Sequence, residues 1–308
     1  MINPILASSA RRRLRGARFH ILVLAAMALS LGVALYAMSG MIRNPRALSA
    51  YTEGLRAYAA LVGVETLLLA LVAPAMTGAA IAGERERQTL ELLLVTRTGA
   101  FRIVSGKLLE SFALLLLLQW STLPAQGLCV LSGCVTLQRL LVTQGFLAAF
   151  ALLAASLGVF CSTLSRHTMT AVILSLLALP LLLFLLSLPA FLGYPQRVTD
   201  VLYDSRRYAE MTEGQAMAMM GPVLLANPGV SLFSLLESGT GAFQELFLWR
   251  GWGRILATYK LIDRVETGKL VLLGMAGMAV LSVLLVALSA LLLRPVSAHV
   301  RGRKGKKS

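Results

Sequence analysis

An all-α integral membrane protein with six transmembrane helices is the fold class this chain predicts, on three observations. Hydrophobic residues make up 57% of the 308, mean hydropathy is +0.76, and only 14% of residues are charged, against about 25% in a soluble domain. The apolar residues gather in Leu- and Ala-rich runs of spanning length, since a bilayer core of about 30 Å needs roughly 20 helical residues. The charges collect at the ends of those runs. None of the runs alternates apolar with polar residues. They therefore read as helices rather than barrel strands, because each backbone in lipid must satisfy its own hydrogen bonds.

The whole chain, 1–308, reads as one integral transmembrane domain without internal repeats, its spans at about 19–39, 58–82, 108–131, 141–164, 169–192 and 270–293. The first run follows an Arg-rich arm, as a secretory signal would. It is longer than a signal's apolar core and no small-residue cleavage site follows, so an anchor is expected. Pro74, Pro124, Pro180 and Pro189 fall within runs; each removes a backbone donor and marks either a hinge or a bend that membrane helices tolerate. Small residues recur four apart in the second run (Ala75, Ala79, Gly83; Gly78, Ala82) and the fourth (Ala151, Ala155; Ala154, Gly158). Such stripes permit close helix approach, within one chain or across a dimer seam. Cys129 and Cys134 flank the outer end of span three, where either a disulfide or inert packing fits; Cys161 reads as packing.

The long connector 193–268 has a turn signal at Asn227-Pro228-Gly229. Val230–Leu236 and Phe243–Trp249, too short to span, are expected as interfacial helices, with Trp249, Trp252 and Tyr259 at the headgroup level. They would serve as a gate or as a structural cap.

The net charge of +15 would suit nucleic acid, but its placement argues for topology. Six spans put both termini on one side. The N-terminal arm, the 83–107 connector, Arg166 and the basic tail 294–308 hold seventeen of the 29 basic residues on that side, whereas the two short opposite connectors hold Arg43, Arg46, Arg56 and Arg139. The positive-inside rule then predicts a multi-pass protein of the cell membrane with both termini and the 83–107 segment in the cytoplasm, and the 193–268 loop outside.

That segment, from Gly83 to Lys107, is the best candidate for a surface that grips a soluble partner. From Glu84 its residues favour helix. Glu84 and Glu86 would occupy a first turn, where negative charge suits the helix dipole; Glu84–Arg87 and Arg87–Glu91 pairs would support it. Leu90, Leu93 and Leu94 form an apolar stripe, and Glu84, Arg87, Gln88 and Glu91 a polar face. Gly99 would stop the helix, and Ala100–Lys107 leads straight into span three. From the residues alone, an interfacial helix that orients its spans and a lever that transmits a partner's motion fit equally well.

The string G-E-R-E-R-Q-T-L-E-L-L-L, a Thr-rich turn, and R-I-V-S-G-K-L-L resemble the type-2 ABC permease family, the membrane subunits of ATP-binding-cassette exporters. The matching positions are Glu84, Arg85, Glu86, Thr89, Leu90, Glu91, Leu93, Leu94, Gly106 and Lys107; Arg97 departs, standing where that family often has proline. Asn3-Pro4-Ile5-Leu6 and Asn227-Pro228 look like family features as well. The resemblance implies two permease copies, identical or related, forming the pathway, and two cytoplasmic ATPase subunits that bind ATP and Mg. Glu84, Arg85, Glu86, Arg87, Thr89, Leu90, Glu91, Leu93 and Leu94 would then form the helix that docks on the ATPase.

Other chemistry is sparse. No P-loop is present: Gly99–Leu108 has six residues between its glycines rather than four, and Leu108 stands where Mg²⁺ needs Ser or Thr. No catalytic residue, cofactor site or metal site is expected in the chain, and no nucleic-acid partner; any ATP hydrolysis belongs to another chain. His20, His167 and His299 are scattered. Glu65 lies within span two, where an ionisable group is a functional candidate, lining a polar pathway or binding a cation. Glu110 is placed to pair with Lys107. A non-transporting sensor or assembly anchor using the same dock is an alternative function; a lipid-modifying membrane enzyme would need a cluster of His, Asp or Glu at one depth, and Glu65 stands alone.

Overall fold

Backbone polar groups without water must pair within their own segment, and every long element among the described residues is helical. The computed structural model describes residues 17–43, 47–88, 100–192, 210–218, 227–237 and 266–293. Among these are eight bounded helices and no strand: α1 (Ala17–Arg43), α2 (Ala47–Glu86), α3 (Ala100–Ser121), α4 (Leu123–Leu131), α5 (Leu137–Leu164), α6 (Thr168–Leu192), α7 (Pro228–Glu237) and α8 (Thr267–Leu292).

Five of them, α1, α2, α5, α6 and α8, are long and apolar enough to cross a membrane. The expected third span is different. It is divided into α3 and α4 at Thr122, where Pro124 stands in the first turn of α4 and lacks the N–H that would continue the ladder. Lys107 and Glu110 load its other end with charge. Pro74, by contrast, sits inside an unbroken α2.

α2 is 40 residues long, or about 60 Å at 1.5 Å per residue, twice the hydrocarbon thickness. It must project beyond the bilayer core. Its first turns carry the Arg56–Glu53 pair at 3.1 Å, and its last turn carries Glu84, Arg85 and Glu86. α5 is the central rod: 72% of its apolar stretch lies inside the bundle, against 17% for α1 and α6. α2, α3, α6, α7 and α8 all pack against it. One apolar core runs from Ile81, Val104 and Val159 to Phe146, Leu115 and Met278, and a second gathers Ala34, Tyr58, Val62, Cys129 and Leu140 around the α4 end.

The small-residue stripes are used within the chain. A Cβ built on Gly158 of α5 would lie 1.8 Å from Thr77 Oγ1 of α2, and one on Gly78 would lie 3.0 Å from the Val172 Cα of α6. Three helices therefore meet at backbone distance, as packing in lipid requires. In the stripe through Ala75, Ala79 and Gly83, Ala75 is exposed, whereas a Cβ on Gly83 would lie 3.7 Å from Thr168 Oγ1 of α6. Ile21, Leu24 and Leu35 of α1, Ile173, Leu177 and Phe184 of α6, and Leu272 and Val283 of α8 are exposed. A girdle of large apolar side chains exposed on three spanning helices suits a lipid surround.

α7 falls on the expected Val230–Leu236 segment. Asn227 opens it: its Oδ1 accepts the Gly229 N–H at 2.8 Å and its amide donates to Ser187 Oγ of α6 at 2.8 Å. Ser231 donates to the Leu270 carbonyl of α8 at 3.2 Å. Arg139 of α5 donates to the Leu235 carbonyl at 2.6 Å, placing a cation at the negative end of the short helix. α7 is thus tied to three longer helices. Phe243–Trp249, Trp252, Tyr259, the N-terminal arm and the tail 294–308 lie outside the described residues.

Cys129, Cys134 and Cys161 are free thiols, all buried. Cys134 Sγ contacts Ser132 Oγ at 2.8 Å and is not bridged to Cys129.

Candidate functional site

Two polar sites interrupt the apolar bundle. The first is the end of α2 from which the 83–107 connector leaves. The sequence suggests that a new helix begins at Glu84. Instead Glu84, Arg85 and Glu86 complete the last turn of α2, and the chain turns at Arg87 and Gln88, whose φ of 59° ends the helix. Gly83 does not break the helix: its carbonyl accepts the Arg87 N–H at 3.2 Å, and the helix formers on either side of it, Ala79, Ala80 and Ala82 before and Glu84, Arg85 and Glu86 after, extend the span rather than starting a new element.

Two acidic residues in a last turn oppose the helix dipole, and neighbouring helices offset them. Glu84 Oε1 lies 2.6 Å from Lys107 Nζ of α3, and Lys107 lies 4.0 Å from Glu110. The Lys107–Glu110 pairing read from spacing is therefore present, but Glu84 is the closer partner. Arg85 donates to the Ser165 carbonyl at 2.8 Å and the Thr163 carbonyl at 3.1 Å, the free acceptors at the end of α5. Glu86 accepts from the Thr168 N–H at 3.2 Å and from its hydroxyl, at the positive start of α6. Basic side chain on helix C-terminus and acidic side chain on helix N-terminus both match the dipoles. Ser162 Oγ lies 2.9 Å from the Ile81 and Ala82 nitrogens. The root of the connector is held by α3, α5 and α6 together. Thr89, Leu90, Glu91, Leu93 and Leu94 lie outside the described residues.

The second site surrounds Glu65, which α2 carries into the bundle interior at 3% exposure. Thr122, at the α3–α4 break, and Gln126, one turn into α4, reach it. Thr122 Oγ1 is 2.8 Å from Glu65 Oε1 and 2.7 Å from the Gln119 carbonyl, and Gln126 donates its amide to Glu65 Oε2. Gln144 of α5 donates to Gln126 Oε1 at 2.8 Å, and Gln119 donates to Gln144 Oε1 at 2.7 Å and to its carbonyl at 2.8 Å. Tyr58, two turns along α2, donates to Thr143 Oγ1 at 2.7 Å, with the Arg139 guanidinium 6.0 Å from its ring centroid. Among the described residues no Lys, Arg or His lies within 4.0 Å of Glu65, and no three His, Cys, Asp or Glu side chains are grouped to hold a metal.

Glu65 was legible as an intramembrane carboxylate. Gln119, Thr122, Gln126 and Gln144 were not singled out. Their only signal is polarity inside apolar runs, and nothing in their spacing shows that three helices bring them together.

Architecture and girdle together define a multi-pass α-helical membrane protein. No protein-family model matches the chain, and no curated protein matches it.

Proposed function

We propose that the chain is the membrane-embedded permease subunit of an ATP-binding-cassette exporter. It would work as one of two copies, identical or related, in the cell membrane, with both termini in the cytoplasm and six crossings, α3 and α4 together making the third. The observation that carries this reading is the resemblance of the 83–107 segment, whose root is clamped to three helices. A force applied to residues 89–99 enters the bundle through Glu84 to α3, Arg85 to α5 and Glu86 to α6 at once. An ATPase that grips this segment would thereby move several spans together. ATP binding can drive a change only through contacts that differ between two states, and such a joint supplies them.

Because Glu84 and Glu86 already bond to Lys107 of α3 and Thr168 of α6, Glu91 and the Leu90, Leu93 and Leu94 stripe are the residues assigned to the partner. The test is affinity capture of the full chain from its native membrane, followed by reconstitution with the captured ATPase. A P-loop protein is expected in the complex. Glu91→Lys with Leu93→Asp should leave the chain in the membrane and weaken capture at least tenfold, about 1.4 kcal/mol or more. Recovery of no P-loop chain, or undiminished capture by the double variant, would overturn the assignment. ATPase capture without movement of any solute in vesicles would favour a sensor or anchor role.

A further inference from the structure

We propose that Glu65 is a proton-binding site: a neutral carboxylic acid whose hydrogen closes a ring of hydrogen bonds across the α3–α4 break. The argument is a count of hydrogens. Thr122 has one hydroxyl hydrogen and two oxygens within reach, Glu65 Oε1 at 2.8 Å and the Gln119 carbonyl at 2.7 Å. A single hydrogen serves only one of them well. A proton on Glu65 Oε1 resolves the conflict, because Glu65 then donates to Thr122 and Thr122 donates to Gln119. The remaining bonds run the same way round. The Gln119 amide donates to Gln144, Gln144 to Gln126, and Gln126 to Glu65 Oε2, so the ring leaves Gln119's side chain and returns to its own carbonyl. Next to it, Tyr58 donates to Thr143 at 2.7 Å and Thr143 to the Arg139 carbonyl at 2.9 Å: an acidic O–H feeding a threonine whose hydrogen goes back to the helix.

The ionised alternative turns the Thr122 hydrogen away from Gln119 and leaves a full negative charge in a buried site with no cation against it among the described residues, far costlier than a neutral polar group. The titratable and charged groups on the surrounding elements do not change this. They are Tyr51, Glu53, Arg56 and Tyr58 before it on α2 and Glu84, Arg85 and Glu86 at the far end of that helix, Arg102, Lys107 and Glu110 on α3, Cys129 on α4, and Arg139 and Cys161 on α5; Arg139 is turned to the Tyr58 ring and the Leu235 carbonyl, and none of these cations is ion-paired with Glu65. α6 carries none; of Arg18, His20, Tyr36 and Arg43 on α1, His20 and Tyr36 are exposed. Proton occupancy therefore governs how α2 is joined to the helix break.

The test uses the full chain in lipid nanodiscs. Infrared spectra at neutral pH should contain a protonated-carboxyl band that is lost in Glu65→Gln. Glutamine reproduces the neutral acid, donating to Thr122 and accepting from Gln126. That variant should melt within a few degrees of wild type and hold that temperature at alkaline pH, where wild type falls; Glu65→Ala should melt well below both. An unchanged carboxyl band in Glu65→Gln, or melting as low as that of Glu65→Ala, would overturn the proposal.

Discussion

At the residue scale the tightest constraint is Gly158. Its missing Cβ leaves room for Thr77, whose hydroxyl donates to the Ala73 carbonyl at 2.7 Å. Gly158→Ala would put a carbon 1.8 Å from Thr77 Oγ1 and 3.0 Å from its Cβ, so the threonine must turn or α2 must move away. Overpacking of this kind costs about 1–3 kcal/mol. The expected outcome is a clear drop in thermal unfolding midpoint, partly restored by Thr77→Ala in the same chain. Gly127, which has nothing within 4 Å of the built Cβ, is the control: alanine there should be neutral or slightly stabilising. Glu213 and Lys269 make a different kind of contact. Lys269 Nζ lies 2.8 Å from Glu213 Oε2, and this donor, with the Glu266 N–H, holds the Glu213 carboxyl below its ordinary range. A depressed carboxylate contributes above its unfolded pKa, and the contribution is lost as pH falls through the folded value. Amide exchange in residues 210–218, normalised for its intrinsic pH dependence, should therefore accelerate on acidification. In Glu213→Gln that acceleration should vanish.

At the element scale the informative features are the broken third span and the short α7. Apolar content alone made 108–131 look like one helix, and a hydropathy count has no means of weighing Gln119, Thr122 and Gln126 as partners for Glu65. Pro124 marks the break locally, but what the break is used for becomes intelligible only when α2 and α5 are beside it, because Thr122 and Gln126 bond to Glu65 and the Gln119 amide N–H groups bond to Gln144 across helices. α7 was more legible, since Asn-Pro-Gly ahead of an apolar stretch is a local start signal and the Asx turn at Asn227 is a local contact. Its ties to α5, α6 and α8 are not local. Asn227→Ala removes the turn and the Ser187 bond together. It should destabilise α7 by about 1–2 kcal/mol, seen as faster hydrogen exchange across Pro228–Glu237 with α5 unaffected. Equal loosening of α5 would show that α7 is part of the core rather than docked on it.

At the scale of the whole molecule the decisive property is which end of the bundle faces which compartment. Cys129, Cys134 and Cys161 are buried, so serine or alanine replacements give a background for single reporter cysteines. Gln88, exposed at the turn after α2, and Gly133, in the turn between α4 and α5 at the other end, should behave oppositely. With the proposed orientation, an impermeant maleimide added to intact cells labels Gly133→Cys and spares Gln88→Cys until the membrane is opened. Labelling of Gln88→Cys from outside would invert the topology and remove the 89–99 segment from reach of any cytoplasmic ATPase.

What the sequence determined by itself is everything that depends on composition along the chain: helix as the only secondary structure, the positions of α1, α2, α5, α6 and α8, and the place of the charged connector between them. These follow from the solvent, because lipid demands internally bonded helices of a set length. Tertiary structure alone decided that α5 is the central rod, that Gly78 and Gly158 are spent on contacts within the chain, and that Glu84 and Glu86 brace the bundle from the last turn of α2. It also decided that Glu65 sits in a ring with Gln119, Thr122, Gln126 and Gln144. The reason is physical. A charge or an amide carries no mark of its partner, and in these sites the partner stands on another helix, 23 to 82 residues away in the chain for Glu84, Glu65 and Glu86.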